Sequence, residues 1–334
     1  NKDDVRLALV QKRAKEIGAP VAYVNMTGGQ DDLVFDGDTI VVSKEGSVLA
    51  RTAQFDDQLI IVDIDCAEGS SRPDVVISEE PTSHSIPADS TIATRLSNEA
   101  EMWQALVMGL RDYVGKNGFR SVVLGLSGGI DSAVSSTLAA KTGLPTYAIG
   151  MPIHQKEEQE TLSDAHLKWL ESNFDNVFVN KFDLTKTFDT FKFSLKGFGS
   201  DELALANSRS RLRMVTLYQV ATFVGGIVVG TCNKVEDYGV GFYTKYGDGG
   251  VDIAPIADLY KTEVWELGKY LGVDQRIIDA QPTDGLWEDG RSDEDQIGAS
   301  YPELEWAMEF NGDETKLASR QKEVLEIYRK LNRA

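Results

Sequence analysis

The sequence has few cysteines and no long apolar run. Only Cys66 and Cys232 occur among 334 residues, too few for a disulfide framework. Such cysteine usage is typical of a reducing cytoplasm, where we expect the protein to act. No segment reaches the roughly 18 apolar residues of a membrane-spanning helix, and no signal peptide is visible. We therefore expect no membrane association.

Basic charge is also scarce. Lysines and arginines number 34 against 53 aspartates and glutamates, which gives a formal net charge of −19. A general nucleic-acid-binding protein would carry a basic surface, so we expect no nucleic-acid partner. A local cluster of lysine and arginine in an acidic chain can still bind an anionic substrate.

The order of sequence patterns predicts two unequal domains. Residues 1–66 begin with a helical pattern over 3–17 and continue as short strands, the last of them over 58–66. Residues 67–97 are rich in proline, serine and threonine and indicate a linker. Residues 98–334 alternate helix and strand, which predicts an α/β fold with a doubly wound, mostly parallel sheet.

A glycine-rich loop is the sharpest motif. The string LGLSGGIDSA, residues 124–133, ends an apolar strand in Ser-Gly-Gly directly before a predicted helix. Glycines let the backbone approach a ligand closely, and a helix N-terminus offers unpaired N–H groups and partial positive charge to phosphate. Asp131 lies in the first helical turn, where a carboxylate either caps the helix or binds a metal ion.

Two interpretations of this loop compete. A glycine turn with a capping aspartate needs no ligand, and the motif is not GxxxxGK[ST] because no lysine follows the glycines. The complete SGGIDS string favours phosphate binding, since it resembles the phosphate loop of the ATP pyrophosphatase superfamily. That resemblance implies a sheet of the adenine nucleotide alpha hydrolase type and the adenylation of a substrate by ATP. NAD, GMP and asparagine synthetases and tRNA-thiolating enzymes are members.

Later motifs distinguish among these members. The string ANSRSRLRM places Arg209, Arg211 and Arg213 on a predicted helix, as either a solvated basic face or a site for phosphate or carboxylate. The glycine-rich KYGDGG string and the Pro/Gly/Asp-rich loop over 281–308 follow, the latter leading into a last helix. Polar residues in order along the segment 228–272 are Thr231, Glu236, Lys245, Asp248, Asp252 and Lys261.

From about Glu99 to its last residues, the chain is similar to NAD synthetases in the order and spacing of these strings. The resemblance implies that ATP adenylates the nicotinate carboxylate of deamido-NAD and releases pyrophosphate. Ammonia then displaces AMP to give NAD, and the ammonia is supplied directly or from glutamine. It also implies Mg²⁺ as a cofactor and a homodimer or larger homo-oligomer.

The resemblance assigns roles to individual residues. Asp131 and Glu236 would bind Mg²⁺, and Asp248 would assist ammonia beside the catalytic Asp131 and Lys261. Deamido-NAD would contact Arg211, Lys245 and Asp252. The ATP-binding set is Gly125, Leu126, Ser127, Gly128, Gly129, Ile130, Asp131, Ser132, Thr231, Lys261 and Thr283.

The segment over 24–50 resembles the late part of a nitrilase-type glutaminase domain, the domain that makes ammonia from glutamine in glutamine-dependent NAD synthetases. Residues 1–66 are therefore expected to be an incomplete α/β sandwich. The Glu-Lys-Cys catalytic set of that domain has no counterpart here, because no cysteine precedes Cys66. Either the chain is part of a longer protein, which we expect, or the domain has been reduced to a scaffold. In relatives we expect a basic His-Lys tail after the segment that matches residues 326–334.

Two residues have interpretations without a functional role, and two alternative functions stay open. We expect Cys232 to be a packing residue and His154 to lie at the surface, since His84, His154 and His166 show no metal-ligand spacing. Another amidating or thiolating member of the superfamily is one alternative function. A non-catalytic nucleotide sensor of the universal-stress type, with the same sheet architecture, is the other.

Overall fold

The chain divides into two compact units, Asn1–Met108 and Gly109–Ala334. No helix in the part of the chain described below is long and apolar enough to cross a membrane. Most of the predicted linker lies outside the described residues, as do Cys66 and His84. The structure is a computed structural model that describes residues 3–64, 75, 91–195, 197–198, 201–283, 285–286 and 291–333.

The first unit packs one helix against short antiparallel strands. Val10 and Ala14 of the helix meet Ile40 and Val42 in a small core. The strands form a three-stranded sheet in the order β1-β4-β5 and a separate β2-β3 hairpin. The elements are α1 (Asp3–Ile17), β1 (Val21–Tyr23), β2 (Thr27–Gln30), β3 (Leu33–Asp36), β4 (Ile40–Val42), β5 (Val48–Arg51) and α2 (Asn98–Lys116), which continues into the second unit.

A buried carboxylate ties this unit together. Asp38 is fully buried and receives Nε and Nη2 of Arg51 at 2.6 and 2.7 Å. Arg6 of α1 approaches it at 3.3 Å, and Arg95, just before α2, approaches at 3.0 Å. An unpaired charge would be costly in this interior, so the arginines fix α1, β5 and the start of α2 to one point within the unit.

The prediction of a strand over 58–66 is wrong for residues 58–64, which are described and adopt no strand. Leu59 is 91% exposed, so no described neighbour covers its side chain. Residues 28–32 divide between β2 and the tight turn that follows it. The predicted helix over 3–17 is confirmed.

A four-stranded parallel sheet forms the centre of the second unit. Its order is β8-β7-β6-β9, and each neighbouring pair is parallel. Every residue of β6 except Gly125 is buried, as expected for a strand covered on both faces. The strands are β6 (Ser121–Leu126), β7 (Thr146–Gly150), β8 (Val177–Lys181) and β9 (Gly226–Val228).

Helices cover both faces of this sheet. Leu167 and Leu170 pack on the face that presents Leu126, whereas Ala221 packs on the face that presents Val123. The predicted doubly wound α/β class is confirmed. The helices are α3 (Ile130–Lys141), α4 (Glu157–Asn173), α5 (Thr185–Ser194), α6 (Glu202–Val224), α7 (Lys261–Leu271), α8 (Gln275–Ile278), α9 (Asp293–Ile297), α10 (Tyr301–Glu309) and α11 (Ser319–Asn332), with a π-helical segment (Val235–Val240) and a 3-10 turn (Glu314–Lys316).

The region expected as one loop over 281–308 instead contains α9 and most of α10. Ser292 and Ser300 each form a capping box with an acidic residue three positions later, Asp295 and Glu303. Gly298, in left-handed conformation, separates the two helices. These local signals were present in the sequence, since serine followed three residues later by an acidic side chain indicates a helix start.

His166 on α4 is buried. Its Nε2 lies 3.1 Å from Oγ of Ser136, and its ring stacks on Trp169. Burial lowers the pKa of His166 from 6.5 to about 4, opposed by the backbone of Ala133 and by Asp274. The folded chain therefore resists protonation of this ring.

We expect His166 to weaken the fold as pH falls. The unfolded chain takes up a proton near pH 6.5 and the folded chain only near pH 4, so stability is lost between those values, by up to about 3 kcal/mol. Urea unfolding of the protein and of His166→Gln at pH 7 and pH 4.5 measures this. The variant should lose less stability than the parent, and an equal loss contradicts the assignment.

Candidate active site

The glycine loop lies at the carboxyl end of β6, directly before α3. Gly128 has a φ of +89°, and a Cβ at this position would come within 2.6 Å of the Gln159 carbonyl oxygen on α4. Only glycine avoids both the strain and the collision. The loop therefore passes against α4 and leads straight into the first turn of α3.

Hydroxyl groups shape the loop from inside. Oγ of Ser127 lies 3.2 Å from Oγ of Ser132 and accepts from the N–H of Gly129 at 3.3 Å. Ser132 also donates to the Gly129 carbonyl at 3.0 Å. Gly129 is the N-cap of α3, and no side chain caps this helix. Its first N–H groups thus face a site with the properties that bind an anion.

Three charged side chains meet beside this loop. Nζ of Lys261 lies 2.6 Å from Oδ2 of Asp131 and 3.4 Å from Oε1 of Glu236. The lysine side chain is 2% exposed, and the two carboxylates are 17% and 12% exposed. Asp131 lies in the first turn of α3, Glu236 belongs to the π-helical segment and Lys261 starts α7, so three separate helical elements converge here.

Burial and pairing change the proton affinities of this cluster. Burial raises the pKa of Glu236 to about 7, with Lys261 opposing the rise and Asp131 adding to it. Burial alone would lower the pKa of Lys261, but Asp131 and Glu236 outweigh it and raise that pKa. The lysine therefore stays charged, as a cation for phosphate requires.

Two residues of this cluster escaped the sequence interpretation. Asn233, fully buried, donates from Nδ2 to Asp131 at 3.1 Å, and its Oδ1 accepts from the N–H groups of Val235 and Glu236. Tyr301 of α10 donates its hydroxyl to Glu236 at 2.7 Å. Asn233 sits at a helix start, a readable signal, whereas nothing local connects Tyr301 with Glu236, 65 residues earlier.

The donor set of the cluster fits Mg²⁺. Asp131 and Glu236 both reach one point, the position of Lys261 Nζ, and carboxylate oxygens are the ligands that a hard cation prefers. Among the described residues, no group of three or more acidic, histidine or cysteine side chains could hold a metal by itself. Mg²⁺ is commonly held by one or two carboxylates together with substrate phosphates and water, which suits this pair.

Asp248 lies in a second loop that is held to α6. Its Oδ1 accepts from Oγ of Ser210 at 2.6 Å and from the N–H of Thr244 at 3.0 Å. Its Oδ2 lies 4.0 Å from Sγ of Cys232, which is four residues before Glu236 in the chain. The loop is thereby fixed between α6 and the strand end that precedes the π-helical segment.

The predicted substrate residues fall into two places. Arg211 on α6 donates from Nε to the Lys245 carbonyl at 3.1 Å, so these two are neighbours. Asp252 instead accepts from the hydroxyl of Tyr218 at 2.9 Å and from the N–H of Val228 at 2.7 Å. It lines a cavity of about 240 Å³ that includes Tyr218 and the first residues of β9.

The other arginines of α6 fasten loops at the sheet edge. Arg213 donates to the Met151 carbonyl at 3.1 Å and to Gln155 at 3.0 Å. Arg209 donates to the Leu286 carbonyl and lies over the ring of Phe188. The interpretation of Arg209 as part of a solvated basic face is therefore wrong, because Arg209 is only 8% exposed.

The two predicted threonines occupy loop positions. Thr283 donates to the Arg291 carbonyl at 3.2 Å and accepts from the N–H of Gly285 at 3.2 Å. Thr231 lies three residues after β9, which ends at Val228. Their contacts with ATP stay predictions.

Cys232 and His154 have the environments expected of them. Cys232 is buried, and burial raises the pKa of its thiol well above the ordinary value, with Glu236 and Asp248 adding to the rise. Such a thiol forms little thiolate, which supports a packing role. The His154 side chain is 44% exposed and pairs with Asp189 at 2.8 Å.

Comparison with known proteins agrees with this geometry. The NAD synthase family matches residues 102–332, and the carbon-nitrogen hydrolase family matches residues 2–73. Nearly all of the NAD synthase match lies in the second unit, Gly109–Ala334. The chain belongs to the NAD synthase family, and the alternative of a universal-stress sensor is not supported.

Individual relatives give the extent of the match. A glutamine-dependent NAD(+) synthetase from Xanthomonas campestris is 35% identical over 87% of this chain, which covers 51% of that relative. An NH(3)-dependent NAD(+) synthetase from Alkaliphilus metalliredigens is 38% identical over 67% of this chain and 90% of the relative. The glutamine-dependent NAD+ synthetase structure from Acinetobacter baumannii matches 99% of this chain and 59% of its own, with a TM-score of 0.69 and 26% identity.

The chain therefore spans about half the length of the glutamine-dependent relative and most of the NH(3)-dependent one. The expected partial nitrilase-like piece at the N-terminal side is confirmed at the level of family. The predicted domain boundaries at 66 and 97 and the residue roles stay predictions.

Gly128 offers a direct test of the loop. We expect Gly128→Ala to lower ATP affinity at least about tenfold, because the Cβ must displace the α4 backbone or reshape the loop. Isothermal titration with a non-cleavable ATP analogue measures the change. The control is Gly143→Ala, since Gly143 also has a positive φ, of +78°, but has open space around its Cβ position. Equal ATP affinity in both variants would show that loop shape is unimportant.

Proposed function

We propose that the chain carries out the ATP-dependent amidation of deamido-NAD to NAD, with release of pyrophosphate and AMP. The observation that carries the proposal is the uncapped start of α3 beside the buried Lys261, Asp131 and Glu236. One end of this arrangement suits phosphate oxygens and the other suits a divalent cation. The family and its named relatives supply the nucleotide substrate.

The reaction needs activation of a carboxylate. An oxide is a poor leaving group, so ammonia cannot displace it directly from the nicotinate. In the first step a carboxylate oxygen bonds to the α-phosphorus of ATP, and the bond to the β-phosphate oxygen breaks to release pyrophosphate. In the second step the ammonia nitrogen bonds to the acyl carbon, AMP leaves with the bonding electron pair, and a proton is lost from nitrogen. No protein nucleophile is required.

The proposed residue roles follow from charge and position. The loop from Gly125 to Ser132 would hold the ATP phosphates with its N–H groups and hydroxyls. Lys261 would neutralise charge on the phosphates, and Asp131 and Glu236 would bind Mg²⁺. Mg²⁺, when bound, would withdraw charge from the phosphate oxygens and orient them. Thr231 and Thr283 would contact ATP from the two flanking loops.

Deamido-NAD would be held by the α6 side of the site. Arg211 and Lys245 supply adjacent positive charge for its phosphates or carboxylate, and Asp252 would accept from its hydroxyl groups. Asp248 would accept a proton from ammonia or orient it, since its loop is fixed by Ser210. Positioning of two anionic substrates would supply most of the rate enhancement.

We also propose the setting in which the chain works. Its few cysteines support a reducing cytoplasm. Val215 and Phe223 on α6 are 57% and 87% exposed, which supports a homodimer or larger homo-oligomer that covers them. Glutamine would be the nitrogen source where a complete carbon-nitrogen hydrolase domain is present, and ammonia would serve this chain directly.

Asp131 tests the proposed chemistry. With deamido-NAD, Mg²⁺, ATP and ammonium, the protein should form NAD, AMP and pyrophosphate. Asp131→Ala should lose at least about 100-fold in pyrophosphate release, because both Mg²⁺ and Lys261 lose a partner. The control is Asp164→Ala, which removes only an exposed pair with Lys181. Absence of NAD from the parent protein, or full pyrophosphate release by Asp131→Ala, contradicts the proposal.

Arg211 tests the substrate site separately. We expect Arg211→Ala to raise KM for deamido-NAD about tenfold through the loss of a charge-assisted contact, with little change in KM for ATP. Arg276→Ala is the control, because Arg276 is exposed and pairs only locally with Asp274 among its described contacts. Steady-state kinetics with each substrate varied measures both constants. Equal rises in the two KM values would refute the separation of the sites.

A further inference from the structure

Tyr301 connects the C-terminal helices with the charged cluster. It is fully buried at the start of α10, and its hydroxyl donates to Oε1 of Glu236 at 2.7 Å. Oδ2 of Asp293 lies 3.2 Å from the same hydroxyl. Nζ of Lys261 lies 4.6 Å from the centre of its ring. One side chain therefore contacts both the carboxylate and the ammonium of the pair.

The Tyr301 hydroxyl restrains the carboxylate of Glu236, which has few short contacts among the described residues. Oε2 of Glu236 accepts from the N–H of Asn233 at 3.3 Å, and Oε1 lies 3.4 Å from Lys261. The bond from Tyr301 is the shortest of these three. Without it, the side chain of Glu236 would be held by two long contacts, which define its rotamer poorly.

The backbone of the π-helical segment that carries Glu236 contacts the C-terminal helices α10 and α11. Nδ2 of Asn332, the last residue of α11, donates to the carbonyls of Tyr238 and Gly239 at 3.0 and 2.9 Å. A Cβ on Gly239 would come within 2.8 Å of Sδ of Met308 on α10. The π-helical segment and α10 are thus in close contact, so the position of Tyr301 relative to Glu236 is well fixed.

We propose that Tyr301 is a positioning residue whose hydroxyl sets the orientation in which Glu236 meets the divalent cation that accompanies ATP. This inference rests on the proposed function. Tyr301 touches neither substrate nor reacting atoms in this role and acts only through Glu236. Groups that orient the ligands of a metal commonly change metal affinity by about tenfold or more when removed.

The test compares two tyrosine-to-phenylalanine variants of the complete chain. Tyr301→Phe keeps the ring beside Lys261 and its packing against Val235 and Leu304, and it removes one oxygen. Tyr328→Phe removes one oxygen from a partly buried tyrosine of the same apolar cluster. Binding of Mn²⁺ in the presence of an ATP analogue with a methylene group between its α- and β-phosphates is measured by electron paramagnetic resonance. The Mg²⁺ dependence of NAD formation and thermal unfolding are measured in parallel.

We expect Tyr301→Phe to weaken Mn²⁺ binding about tenfold and to raise the half-saturating Mg²⁺ concentration by a similar factor. KM for ammonium should not change, and Tyr328→Phe should match the parent protein in both measurements. A higher Mg²⁺ requirement with an unchanged KM for ammonium indicates a positioning role. A general loosening of the fold around the site would change the constants for every substrate. Thermal unfolding confirms that both variants are folded.

The outcomes separate this inference from the proposed function. If the parent protein binds Mn²⁺ and makes NAD, and Tyr301→Phe binds Mn²⁺ equally well, the positioning role is wrong and the function stands. An equal loss in Tyr328→Phe also overturns it, because the effect then belongs to the cluster. If the parent protein binds no Mn²⁺ and makes no NAD, both the function and the positioning role fail.

Discussion

The buried ammonium of Lys261 is the charge around which the active-site end of the sheet is arranged. A cation removed from water needs opposing charge at short range, and Asp131 and Glu236 provide it at 2.6 and 3.4 Å. Each of the three comes from a different loop or helix start at the carboxyl edge of the sheet. The balance of charge therefore brings the phosphate loop, the π-helical segment and α7 to one place.

The same balance explains why the site presents two kinds of surface. The first turn of α3 offers N–H groups and no capping side chain, whereas the two carboxylates beside it carry negative charge. A nucleoside triphosphate with a divalent cation has the complementary distribution, with anionic phosphates next to a positive ion. Arg213 holds the loop after β7 through the Met151 carbonyl, and Arg209 holds the loop that contains Leu286.

Local patterns predicted the parts of the molecule that are locally determined. The strand, the Ser-Gly-Gly turn and the start of α3 follow one another within ten residues, so the phosphate loop could be read directly. The alternation of helix and strand is also a local pattern, and it therefore predicted the class of the sheet. The contact of Lys261 with Asp131 joins residues 130 positions apart; the resemblance to a family assigned both residues to the active site but did not predict this contact.

The errors have different physical causes. Residues 58–64 have strand-forming side chains, but a strand needs a neighbour with free backbone groups, and a single sequence does not reveal one. The segment over 281–308 was read from its glycine and proline content, and the two serine capping boxes outweighed that composition. Tyr301 stayed hidden because a polar contact of a buried aromatic residue has no sequence period.

The spread of the cluster along the chain has a consequence for biosynthesis. Its members run from Asp131 through Glu236 and Lys261 to Tyr301, and translation delivers them in that order. A nascent chain that has emerged only as far as α7 holds the lysine and both carboxylates but lacks the helices that cover them. Water still reaches the charges at that stage, so the ribosome must release α10 before the low-dielectric environment of the site exists.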